Sequence, residues 1–214
     1  MSEPVFTFDG DDPAMLQAFE AARGTFKYFW RELSWERRRI IPGLDLAIVK
    51  LPFSDGPRAD GYPNSEHMWV GEVDFDGETL SGELLSSPNW LTSVRQGDSI
   101  QAPFAQLADW LMAADGRTYG GFTVNVIRAK MDSTERKQHD EYYGLEFGDP
   151  AEIRLEIERG KKSLGGFVSG LLGGLSKKIC QPEGFEDHPM CINMLNPNYS
   201  PFSNKRSLCC ILSV

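Results

Sequence analysis

No cysteine precedes Cys180, and the four in the chain (Cys180, Cys191, Cys209 and Cys210) all lie near its end. A disulfide framework is therefore excluded for the rest of the sequence. No uncharged apolar run approaches the ~18 residues needed to cross a bilayer. The opening Met1-Ser2-Glu3-Pro4 lacks a basic segment followed by an apolar one, so a secretory signal is not expected and the cytoplasm is the expected location. Positive charge is also short: 22 Lys and Arg stand against 31 Asp and Glu, giving a net charge of -9 and a pI of about 4.9. Such a surface repels nucleic acid and anionic lipid. It serves solubility and suits a basic protein partner.

Hydrophobic residues make up 41% of the 214, close to the globular average, so a sizeable core can form without staples. Asp12 and Pro13 read as N-cap and first helical residue. Apolar residues then fall at Met15, Leu16, Phe19, Ala22, Phe26, Phe29, Trp30 and Leu33, the spacing of one broad helical face. We read this aromatic stripe as core packing. Arg37-Arg38-Arg39 reads as a solvated helix end. Leu44 to Leu51 predicts a buried strand stopped by Pro52, and Ser54 to Ser65 a long loop. His67 to Phe75 and Glu78 to Leu85 predict antiparallel strands joined by an Asp76-Gly77 type I′ turn. Gly97-Asp98 opens a strand through Ile100. Phe104 to Met112 reads as a short helix with Phe104, Leu107, Leu111 and Trp110 inward. Asp115-Gly116 predicts a second hairpin turn, and Tyr119 to Ile127 a strand.

From Lys130 the composition changes. Met131 to Asp140 is charged, and Asp149-Pro150 predicts a helix carrying Ile153, Leu155 and Ile157. Ser163 to Ser176 is uncharged and glycine-rich between lysines. It is too short to span a membrane and reads as a packed or interfacial hinge.

The elements Phe29-Trp30, Ala47-Ile48-Val49, Glu66-His67-Met68-Trp69, Gly82-Glu83-Leu84, Gly97-Asp98, Asp109-Trp110-Leu111, Asp115-Gly116, Tyr119-Gly120 and Phe122-Thr123 occur in an order that resembles the YegJ-like bacterial family. The family carries no established reaction. The resemblance covers about residues 29–128 and implies a small α+β domain. Phe185-Glu186-Asp187-His188-Pro189-Met190 is similar to the segment joining such a domain to ankyrin-like repeats in longer relatives, but no repeat pattern follows Asn196.

Three groups of residues bear on chemistry. Glu66 or Asp109 beside His67 could form a general base, since a carboxylate fixes an imidazole's tautomer. Neighbours on a strand point apart, however, so Glu66 and His67 would not meet. The plainer reading gives both residues structural roles. Cys180, His188 and Cys191 match no standard zinc spacing, so no metal is expected. Trp69, Trp90 and Trp110 could form an exposed aromatic platform, but at least two of them are expected to anchor the core of a small sheet. No nucleophile elbow or P-loop is present, and no cofactor is expected.

The sequence thus predicts an α+β fold: a long N-terminal helix on a twisted antiparallel sheet, with a helical C-terminal appendage. The expected division is a domain at 12–130, a helical, glycine-rich appendage at 131–195 and an irregular tail at 196–214. The expected function is non-catalytic binding, most sharply as an immunity protein that neutralises a basic secreted toxin such as a nuclease. A small hydrolase and a regulatory or stress scaffold are the alternatives. Asp55, Asp60, Glu66, Asp74, Asp76, Glu78 and Asp98 are the candidate charges for a partner, and Tyr62 and Trp90 the candidate anchors. The sequence does not indicate an oligomeric state.

Overall fold

The computed structural model describes residues 12–57 and 64–158. Helix α1 runs from Pro13 to Glu36, capped where the sequence predicts: the Asp12 carboxylate accepts from the Ala14 amide at 2.9 Å. Its buried residues Met15, Ala18, Ala22, Phe26, Phe29 and Leu33 follow each other at intervals of three and four, one stripe along the helix. The other elements are β1 (Leu46–Phe53), β2 (Glu66–Phe75), β3 (Thr79–Leu84), β4 (Ser99–Pro103), a single 3₁₀ turn (Phe104–Gln106), β5 (Asp109–Ala114), β6 (Arg117–Gly120), α2 (Phe122–Arg128) and α3 (Ser133–Tyr143).

The six strands form one antiparallel sheet in the order β4-β3-β2-β1-β5-β6. The first four strands in the chain are sheet neighbours in sequence order, and β5 then inserts on the far side of β1. Alternation divides the strands into two faces. One face carries Val49, Leu51, Met68, Val70, Leu80, Trp110 and Met112 and packs with Ala22, Phe26, Phe29 and Leu33 of α1. Trp110 is wholly buried there. Its indole N–H donates to the Ala22 carbonyl and the Thr25 hydroxyl, both at 3.1 Å. Burial of each such aromatic contributes roughly 1.5–3 kcal/mol. The opposite face buries Leu46, Ile48, Trp69 and Leu111 against Val124 of α2 and Phe147. Trp69 and Trp110 are both core anchors, and Trp90 is half-buried.

The α+β class and the helix-on-sheet arrangement agree with the sequence reading; several local elements do not. Phe104 to Met112 is a 3₁₀ turn followed by the start of β5, which is buried along its whole length. A strand covered on both faces reads as a continuous apolar run, so periodicity alone cannot tell it from a buried helix. Tyr119 to Ile127 is the end of β6, a left-handed Gly120-Gly121 pair and helix α2. The Asp76-Gly77 turn is a three-residue loop, 76–78, in which only Gly77 has positive φ, and the Asp76 carboxylate closes it by accepting from the amides of Glu78 (2.9 Å) and Thr79 (2.7 Å). Asp115-Gly116 is a two-residue hairpin turn with positive φ at both positions. Asp149 forms a turn, not a helix start, accepting from the Ala151 amide at 2.9 Å, and Ile153, Leu155 and Ile157 pack against the core outside any helix. The charged stretch from Met131 is largely α3, opened by a capping box between Asp132 and Glu135. Arg128 ties α3 to α2 by bonding Asp140 at 2.9 and 3.2 Å, and also holds Asn125 and the Gly148 carbonyl. The glycine-rich run 163–176 and the group Cys180, His188 and Cys191 lie outside the described residues.

Candidate functional site

The most distinctive polar feature is a row across the middle of the sheet. Lys50 of β1 is in register with Trp69 of β2 on one side and Asp109 of β5 on the other, so all three side chains share the face that α2 covers. Each is buried, at 2% exposure or less. The ammonium of Lys50 lies over the Trp69 ring, 4.7 Å from its centroid, a cation–π contact strengthened by desolvation. It also donates to the Thr123 hydroxyl at 3.1 Å, and that hydroxyl donates to Asp109 at 2.6 Å.

Asp109 is the hub. It accepts from the Phe122 amide (3.0 Å) and the Thr123 amide (2.7 Å), two of the free N–H groups at the start of α2, and from its neighbour Trp110 (2.8 Å). A residue 13 positions upstream of Phe122 thus does the work of an N-cap. Burial pushes the Asp109 carboxyl above its ordinary range, while Lys50 and the Thr123 and Phe122 donors pull it back. Burial likewise lowers the Lys50 ammonium to about 8, and the Asp109 charge opposes that shift. The arrangement stabilises charge inside the protein. Lys50, Asp109 and Thr123 are all below 3% exposed, so their polar atoms face one another and not a ligand.

Sequence reasoning missed Lys50 and Thr123. The available signal was a lone lysine inside the aliphatic run Ala47-Ile48-Val49-Lys50-Leu51.

Among the described residues, neither Glu66 nor Asp109 is hydrogen-bonded to His67. Glu66 is buried and its carboxylate is held by Asn89, accepting from the backbone amide at 3.0 Å and from the side-chain amide at 2.6 Å. Asp109 is committed to α2. His67 stacks on Phe19 of α1, with centroids 5.3 Å apart. Desolvation, with the nearby Lys50 charge, lowers its pKa to about 4, so the imidazole is neutral at pH 7. Unfolded His67 titrates near 6.5 and the folded residue near 4, so the unfolded chain takes up the proton first. Stability is full above pH 6.5 and falls as pH drops toward 4. The loss reaches at most ~3 kcal/mol, an upper limit because the ring is partly exposed. His67→Phe should flatten the stability curve between pH 6.5 and 4 in urea titrations; an unchanged slope would refute the assignment.

The expected partner-binding residues separate into two groups. Asp55 ties its loop to the next, accepting from Thr92 at 2.7 and 3.0 Å and from the Ser93 amide at 3.3 Å, and Ser93 first, then Thr92, holds its carboxyl down at about 2. Glu66 and Trp90 lie at this same end of β2, and Glu66 is buried. Asp98 is exposed and accepts from the Arg95 amide at 2.8 Å. Asp74, Asp76 and Glu78 sit at the other end of β2, all exposed, roughly 25 Å from Glu66 by strand rise. Asp60 and Tyr62 lie outside the described residues. A single patch therefore does not contain all the expected charges.

Among the described residues, no group of three or more His, Cys, Asp or Glu is placed to hold a metal, and no helix is long and apolar enough to cross a membrane. Over 193 residues the chain is 41% identical to a putative ankyrin repeat protein of Neisseria meningitidis serogroup B, an alignment spanning 90% of this chain and 68% of that protein. It is 24% identical over 127 residues to the uncharacterized protein YegJ of Escherichia coli strain K12, covering 59% of this chain and 75% of the relative. No solved structure matches the chain. Residues 12–147, which include the whole sheet, all three helices and the Lys50–Thr123–Asp109 row, match the family described as uncharacterized protein conserved in bacteria (DUF2314), and the chain belongs to that family.

Proposed function

We propose that the protein works by binding and not by catalysis, and that it is a cytoplasmic immunity protein. It would neutralise a secreted antibacterial toxin, such as a nuclease delivered by a type VI-type system, through direct contact. The observation that carries this reading is the inward commitment of its reactive groups. Lys50, Thr123 and Asp109 satisfy one another, Glu66 is held by Asn89, and His67 is stacked and neutral. The surface, by contrast, carries the acidic excess of a chain with net charge -9. Complementary charge speeds the encounter with a basic partner. A relative named for ankyrin repeats also favours protein contact as a shared role, since stacked repeats form extended binding surfaces.

The test is co-expression with any effector encoded beside this gene, followed by pull-down and a protection assay. A complex that forms, protects cells and associates more slowly at high salt is the expected result. The Debye length shrinks from ~10 Å at 0.1 M to ~3 Å at 1 M, which removes long-range attraction. Absence of both a complex and protection with every neighbouring effector would reject the reading.

A further inference from the structure

The loop between α1 and β1 presents two aliphatic residues almost wholly to solvent: Ile40 is 98% exposed and Ile41 80%. Trp35, on the last turn of α1, is 44% exposed. Isolated apolar residues on a surface are ordinary, but two adjacent isoleucines on a tethered loop are not. The tether is the buried carboxylate of Glu36. It accepts from the Gly43 amide and from the Arg39 guanidinium, both at 2.7 Å, and so closes the loop around the two isoleucines. On the other side Arg37 bonds Asp74 at 2.8 Å and lies over the Trp30 ring at 5.2 Å. The knuckle is thus held before anything docks on it, which lowers the ordering cost of binding.

Its neighbours give it a charge. The register places the start of β1, the end of β2 and the end of β5 at one end of the sheet. The knuckle therefore shares that end with the 76–78 loop and the Asp115-Gly116 turn. Asp74 and Glu36 neutralise Arg37 and Arg39, leaving Arg38 as the knuckle's unpaired cation. Against it stand Asp76, Glu78 and Asp115, which have no lysine or arginine partner among the described residues.

We propose that Ile40 and Ile41 are the apolar anchor of a protein–protein interface, and that the partner offers an apolar pocket rimmed by lysine and arginine. This rests on the binding function proposed above and names the surface that performs it. A second copy of this chain is disfavoured, because it would bring the same acidic rim against itself. An anionic membrane is disfavoured by the same charges.

The test uses the full chain with a photo-crosslinking amino acid at position 40, expressed in its own host, and a matching probe at Gln101 on exposed β4 as control. Cross-linking from position 40, but not from 101, to an apolar site flanked by basic residues on one protein is expected. The Ile40→Asp/Ile41→Asp variant should melt like the wild type, since neither side chain is buried. It should bind that protein at least tenfold more weakly. Cross-links to lipid, to a second copy of the chain, or no more from 40 than from 101, would overturn the proposal. If the captured protein is not a toxin, the immunity reading fails while the docking surface stands. If a neighbouring toxin binds the double variant unimpaired, the surface fails while immunity stands.

Discussion

Asp109→Ala should destabilise the protein by about 3–5 kcal/mol, the cost of taking the countercharge from a buried ammonium together with the bonds it accepts. The carboxylate takes four hydrogen bonds, from the amides of Trp110, Phe122 and Thr123 and from the Thr123 hydroxyl. Alanine removes them all, takes away the charge that favours the Lys50 ammonium, and leaves a wholly buried amine with only Trp69 and the Thr123 hydroxyl. Two effects are combined, and a second variant separates them. Lys50→Met in the Asp109→Ala background removes the stranded amine, because methionine fills similar space without needing a polar partner. The double variant should recover most of the loss and retain a deficit of ~1 kcal/mol for the missing cap on α2. Urea denaturation of the four proteins reads the coupling directly. A loss below 1 kcal/mol for Asp109→Ala, or no recovery in the double variant, would show that the row is not an energetic unit.

Gly120→Ala is expected to cost roughly 3 kcal/mol, the sum of ~1–2 kcal/mol for a left-handed backbone and ~1–3 kcal/mol for overpacking. Gly120 has φ +75°, and an added Cβ would overlap both the carbonyl oxygen and the indole ring of Trp110. Neither neighbour can retreat: the Trp110 carbonyl accepts from the Gly121 amide at 2.8 Å and the indole is fixed to α1. Gly24→Ala provides the contrast. It lies within α1, where an added Cβ meets nothing within 4 Å, so alanine should stabilise by up to ~1 kcal/mol through helix propensity. Thermal melts of both variants should move in opposite directions. Equal shifts would contradict the packing described around Trp110.

Local signals in the sequence were sufficient for α1 and for the strands from β1 to β3. Asp12 and Pro13 announce the helix start, and the spacing of Phe26, Phe29 and Leu33 gives its buried face. The sequence failed where the deciding interaction comes from a distance. Phe122 to Ile127 alternates and contains Thr123, Val124, Val126 and Ile127, all strand-favouring residues. It is helical because Gly120 and Gly121 reverse the chain and Asp109 supplies the cap, and no window over the segment includes that carboxylate. The candidate site was illegible for the same reason. Glu66 and His67 stand out as neighbours, yet Lys50, Trp69 and Asp109 come from separate strands and meet only through register. By contrast, the capping box of Asp132 and Glu135 was present in plain spacing within a stretch whose charge obscured it.

Strand β2 is interrupted by a bulge. Between Gly71 and Asp74 it spends one residue more than β3 does, and Glu72 takes a φ of 51°. The strand is therefore two short phases out of step with each other. Residues 66, 68 and 70 face α1 on even numbers, whereas Val73 and Phe75 reach the same core on odd ones. The frame shift is what turns Asp74 outward beside Arg37. Straightened with all its residues kept, the strand would turn Val73 and Phe75 to the opposite face and Asp74 toward α1, whereas removal of Glu72 alone would restore regular pairing with Val73 and Phe75 still on the core. The bulge thus absorbs the one residue by which β2 exceeds β3 and keeps both phases of the strand on one core.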